Sequence, residues 1–136
     1  MIRTIGAFCA AFLAFTIVSA VGAANAADRF GVIGVENSTK VVIRLQHRWG
    51  TSGAWASDTL PPGERKWYWW TFTKPNEDKT PQFQVRFDSD LSPGQFVENY
   101  DLTAYQAPAH EWVNAHKYIF RYDGGGKFIE LYDEKK

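Results

Sequence analysis

The sequence predicts an all-β fold, an antiparallel β-sandwich of about eight strands with immunoglobulin-like or related Greek-key topology after an N-terminal signal peptide. Three observations carry this expectation. Beyond the first 29 residues, apolar residues recur with period two in short runs. Turn-forming Gly, Pro and Asn separate those runs at sandwich-like spacing. No long segment has the 3.6-residue period of a helix.

The first strand is expected from Phe30 to Glu36, closed by Asn37-Ser38-Thr39, a turn that also spells a glycosylation sequon. In the second, Val41, Ile43, Leu45, His47 and Trp49 alternate with Val42, Arg44, Gln46 and Arg48, one buried row and one wet row. Gly50-Thr51-Ser52-Gly53 leads to a third strand from Trp55 to Leu60. Pro61-Pro62-Gly63-Glu64 is a tight turn, since proline fixes φ and glycine accepts a positive φ. A fourth strand follows from Arg65 to Phe72. The polar stretch from Thr73 to Pro81 reads as a mobile loop.

From Gln82 to Asp88 alternation returns, with Phe83, Val85 and Phe87 facing inward. A sixth strand is expected from Phe96 to Tyr105. Gln106 to His116 lacks strand period, and Pro108 is suited to open a short helical turn. Tyr118 to Asp123, the Gly124-Gly125-Gly126 turn and Phe128 to Tyr132 make a closing hairpin.

Residues 1–26 stand apart. One cation at Arg3, an apolar run from Ile5 to Val21 and the small residues of Ala24-Asn25-Ala26 form a signal-peptide pattern, with cleavage expected between Ala26 and Ala27. The apolar run is shorter than the ~20 residues of a spanning helix, and Gly6, Thr16 and Ser19 dilute it. No stable membrane insertion is therefore expected after cleavage. Residues 27–136 are expected to form one domain, secreted or periplasmic.

Cleavage also filters the chemistry. Removing 26 of 136 residues leaves 110, without Cys9 or Met1, the chain's only cysteine and methionine. Disulfides, thiolate metal sites and cysteine nucleophiles are then excluded. Arg3 leaves too, so 15 basic residues become 14 against 15 acidic ones. That near-neutral balance offers no footprint for nucleic acid, which needs many phosphate-neutralising cations. Nineteen of the 22 aromatic residues remain. A small domain without disulfides needs such large apolar area for its core.

The distinctive local chemistry is Trp67-Tyr68-Trp69-Trp70. Strand alternation sends Trp67 and Trp69 to one side with Arg65, and Tyr68, Trp70 and Phe72 to the other. The longer row, ending in Phe72, is expected inward. Trp67 and Trp69, with Trp55 and Arg65, are then candidate ligand-binding residues, a flat platform for a glycan or small apolar ligand. The competing structural roles are covering by Arg44, Arg48, Arg65 or Arg86 guanidiniums, or burial under the 73–81 loop. Asp88 and Asp90 flank a strand end and are a weak calcium candidate. Turn capping through the backbone is the stronger alternative, because calcium needs six to eight oxygens.

His110-Glu111 and His116 lack the four-residue spacing of a helical zinc motif, and His47 lies on an apolar row. Gly50-Thr51-Ser52-Gly53 is no nucleophile elbow, and Gly124-Gly125-Gly126-Lys127 runs into Phe128 rather than Ser or Thr. No cofactor and no catalytic residue is predicted. The expected role is binding or structural association, with an envelope or extracellular protein or a glycan as partner.

Overall fold

A computed structural model of the chain describes residues 29–92 and 94–135. The signal-peptide expectation concerns residues outside these. Among the described residues nine strands form two sheets: β1 (Phe30–Asn37), β2 (Ile43–Trp49), β3 (Ala56–Leu60), β4 (Arg65–Thr71), β5 (Phe83–Asp88), β6 (Val97–Leu102), β7 (Tyr105–Ala107), β8 (His116–Tyr122) and β9 (Ile129–Asp133). The first sheet has the order β4-β1-β8-β9, with β7 also paired to β1. The second has the order β3-β2-β5-β6 and is antiparallel throughout.

Two expectations of sheet topology need correction. The first sheet is mixed rather than antiparallel, because β1 and β8 run parallel with Ile33 opposite His116 and Val35 opposite Tyr118. The expected sixth strand is two strands, which raises the count from eight to nine. The chain leaves the second sheet after Leu102, where the Thr103 N–H goes to the Tyr118 hydroxyl (2.9 Å). It then pairs Tyr105–Ala107 with the start of β1.

One apolar cluster lies between the sheets and draws on both. Ile33, Val35, Phe120 and Leu131 from the first sheet meet Leu45, Phe83, Val85 and Phe87 from the second. Alternation in β2 and β5 produces this face, as expected from period two. Strand β1 differs: Val32 and Ile33, adjacent in sequence, are both fully buried. A smaller cluster of Val32, Ala107 and Ala115, flanked by Phe30, covers its outer side. A strand covered on both faces reads as a continuous apolar run.

Turn chemistry places β4. Glu64 N–H bonds the Pro61 carbonyl (3.1 Å), and Gly63 has φ of 77°, so Pro62-Gly63 occupies the centre of a type II turn. The turn docks on the end of β1 through Asn37 N–H to the Glu64 carbonyl (2.9 Å) and Gly63 N–H to the Asn37 carbonyl (2.7 Å). It carries the chain from the edge of the second sheet to the edge of the first. Val41 and Val42, expected within the second strand, precede β2 and stand exposed. The Asn37 amide takes the Val41 carbonyl (2.8 Å) and holds that residue in the turn.

Candidate functional site

Strand β4 carries the aromatic run. Its register with β1 sets Trp69 opposite Val32, Trp67 opposite Gly34 and Arg65 opposite Glu36. Trp67 and Trp69 are 36% and 42% exposed, while Phe72, just past the strand, is buried. The outward row is therefore Arg65, Trp67, Trp69 and Thr71, with the orientation that alternation predicts.

The inward row is anchored by polar ends. Tyr68 packs on His47 (4.2 Å between centroids) and Phe83 (5.3 Å), and its hydroxyl donates to Asp58 Oδ2 (2.8 Å). Lys66 donates to the other oxygen of Asp58. Asp58 on β3 thus ties the edge of one sheet to the edge of the other. Burial, followed by the Asp58 carboxylate, pushes the Tyr68 hydroxyl far above its usual range, so it stays a neutral donor. Trp70 meets Trp49 (5.8 Å) and donates from Nε1 to Glu77 Oε2 (2.9 Å). The other Glu77 oxygen accepts the N–H groups of Thr73 (3.0 Å) and Lys74 (3.3 Å). These bonds, led by the one from Trp70, hold the Glu77 carboxyl below its usual range.

The stretch expected to be a mobile loop is therefore fastened at Glu77. Thr80 fastens it again, since a Cβ on Gly31 would lie 2.2 Å from the Thr80 methyl.

The outward row is partly roofed by the segment before β8. His110 stacks on Trp69 (4.0 Å, 16°) and takes the edge of Phe30 (5.0 Å). Trp67 Nε1 donates to the His110 carbonyl (3.0 Å). Trp112, in a 3-10 turn over Trp112–Asn114, lies against Gly34, where an added Cβ would come within 2.5 Å of the ring. Arg65 (4.8 Å) and Lys117 (5.4 Å) place their charges over the same indole. A groove of about 520 Å³ runs along β4 from Arg65 to Trp69, between Asp58 and His110-Glu111.

The predicted ligand residues do not form one platform. Trp67, Trp69 and Arg65 share this surface, but Trp55 belongs to the outer side of the second sheet. There Arg48 and Arg86 each place a guanidinium carbon 4.2 Å from its ring centre. Those arginines are fixed in turn by Gln84 (2.9 Å) and Gln46 (2.7 Å). One face of Trp69 is filled by His110. Trp67 is tilted by 59° against Trp112, at 6.3 Å between centroids.

Asp88 and Asp90 accept backbone N–H groups from Gly94 (2.9 Å) and Ser92 (3.0 Å), which is turn capping. Among the described residues no three His, Cys, Asp or Glu side chains gather as a metal site. The three histidines are dispersed. His47 faces Tyr68 and His110 covers Trp69. His116 lies between Tyr105 (4.1 Å) and Tyr118 (4.6 Å), with Nε2 2.9 Å from Asp133 Oδ2.

Sequence reasoning missed His110, Trp112, Lys117 and Asp58. The signal for Trp112 was Gly34 itself, since a glycine inside an apolar strand marks the close approach of another group. Compared with protein-family models, curated proteins and solved structures, the chain shows no significant match.

Proposed function

We propose that the chain is an exported, non-catalytic association module, a β-sandwich of Greek-key kind that meets a protein partner along β4. The observation that carries this reading is the combination of a free edge and exposed aromatic residues on one strand. Among the described residues strand β4 ends its sheet in the order β4-β1-β8-β9, and its outward row holds two tryptophans more than a third exposed. Free edges present unpaired N–H and C=O groups and template pairing with another strand. Exposed tryptophans beside such an edge supply the apolar contact that backbone pairing lacks.

Export predicts a mature protein beginning at Ala27, read by intact mass. Association is tested by a photoreactive amino acid in place of Thr71, which borders Trp69 on the outward row. In the producing cell it should give a discrete cross-linked adduct, weakened when Trp67→Ala is added. The same probe at Lys127, on the exposed closing turn, should give none. A Thr71 probe that yields no adduct, or no more than the Lys127 probe, sinks the reading.

A further inference from the structure

We infer that the outer face of the second sheet binds the acidic group of an anionic saccharide between Arg44 and Arg86. This goes beyond the association reading and uses a different face, so either can fail without the other. Alternation turns Arg44, Gln46 and Arg48 of β2 and Gln84, Arg86 and Asp88 of β5 away from the core. A groove of about 800 Å³ lies on this face, with Arg44, Gln46, Ser57, Thr59 and Arg86 in its lining.

The arginines of this face differ in what they have left to donate. Arg48 uses all three nitrogens, on Gln84 (2.9 Å) and on the carbonyls of Gly53 and Thr51 (3.0 Å each). Arg86 donates only from Nε, to Gln46 (2.7 Å), and its two Nη groups have no hydrogen-bond partner among the described residues. Arg44, exposed on β2, makes no hydrogen bond, ion pair or ring contact among them. Arg86 is nonetheless fixed, by Gln46 at Nε and by the Trp55 ring, 4.2 Å from its guanidinium carbon. Gln46 is held in turn by the Ser57 hydroxyl (3.2 Å). A fork set in this way loses little freedom on binding, and its two Nη groups match the paired oxygens of an acid group.

The acids around the groove are engaged elsewhere. Asp58 is matched with Lys66 and accepts the Tyr68 hydroxyl, Asp88 Oδ2 accepts the Gly94 N–H (2.9 Å), and Asp101 accepts from Gln84 (3.1 Å). Two guanidiniums with no carboxylate in ion-pair reach therefore share one groove, which favours an anion. The remaining lining selects a sugar as its carrier. A groove of this size takes more than a bare ion. Beside the arginines it offers the Gln46 amide and the Ser57 and Thr59 hydroxyls, which pair with sugar hydroxyls, and Val97 adds an apolar contact for C–H faces. A fatty or aromatic acid would cover those polar groups without pairing them.

Calorimetric titration of the purified protein tests the site, with trigalacturonate, its methyl ester and a sulfated chondroitin disaccharide as probes. At least one acidic probe should bind, more weakly as salt rises, and the uncharged ester should bind about tenfold more weakly or worse. The carboxylate and sulfate probes tell the two acid groups apart. Arg44→Ala removes a side chain without partners and should weaken binding about tenfold. Arg86→Lys keeps the charge, loses the fork and should weaken it too. Lys127→Ala removes an equal charge from the exposed closing turn and should change nothing.

No binding by either acidic probe, equal binding of the ester, or an affinity indifferent to Arg44→Ala overturns the site. Inorganic sulfate binding as tightly as the acidic sugars overturns the saccharide, because the groove would then hold a bare anion.

Discussion

A single buried amide joins several strand ends. Asn37 donates from Nδ2 to the carbonyls of Val41 (2.8 Å) and Leu60 (2.9 Å), and its Oδ1 accepts from the Thr39 N–H (2.9 Å) and hydroxyl (2.6 Å). Next to it, the N–H and hydroxyl of Ser38 both reach the Phe120 carbonyl on β8 (3.0 and 2.7 Å). The Asn37 side chain is completely buried and uses both of its protons. The sequon at Asn37-Ser38-Thr39 is therefore closed to glycosylation in the folded chain. Asn37→Ala should cost about 2–4 kcal/mol in chemical denaturation, because the buried Leu60 carbonyl and the partly buried Val41 carbonyl lose their donor. A loss under about 1 kcal/mol would show that other donors replace it. The turn was legible from the residue types alone. The hub was not, because Leu60 and Phe120 reach it from distant parts of the chain.

At the scale of elements, the outer side of β1 is shaped by what crosses it. Gly34 lies between Trp67 on β4 and Lys117 on β8 in the registers of its two neighbours. Trp112 fills the space above it, and Ala115 would lie 3.2 Å from an added Cβ. Gly34→Ala should destabilise the protein by about 1–3 kcal/mol, the usual range for overpacking a filled site. It should also shift tryptophan fluorescence as Trp112 is lifted. Gly124→Ala, with open space around its Cβ position, serves as the control and should leave the melting temperature unchanged. An unchanged melting temperature in both variants would mean that the 3-10 segment moves aside freely. Orientation of β4 was readable from its alternation. Its roof was not, because residues 108–115 have no period that reveals which sheet they cover.

For the molecule as a whole, His47 and Asp58 join Glu77 among the groups that make stability fall in acid. Burial against Tyr68 and Phe83 holds the His47 imidazole below its ordinary value of 6.5, with Asp58 opposing and Lys66 reinforcing the shift. Burial alone would raise the Asp58 carboxyl. The hydrogen bonds from Lys66, Tyr68 and the Thr59 N–H, with the Lys66 charge, bring it below 3.8 instead. In both cases the unfolded chain takes up its proton first as pH falls, so stability drops with it. The His47 contribution is complete above about pH 6.5 and declines below that, and the Asp58 contribution declines below about pH 4. Urea unfolding at pH 7.5, 5 and 3.5 should show a stepwise loss, and His47→Phe should remove much of the first step. Equal slopes for the wild type and His47→Phe between pH 7.5 and 5 would exclude His47 as the source.

By itself the sequence determined the all-β class, most strand positions, the Pro62-Gly63 turn and the outward course of Trp67 and Trp69. These follow from local sterics and a two-residue period, which neighbouring residues impose on one another. Tertiary structure alone decided the parallel pairing of β1 with β8, the split after Leu102 and the separation of Trp55 from Trp67 and Trp69. It also decided that Asp58 and Lys66 meet, and that β4 lies at an edge. Each of these depends on which segments pack side by side. That choice is made by burial and charge pairing between residues far apart in the chain, for which no local pattern is a record.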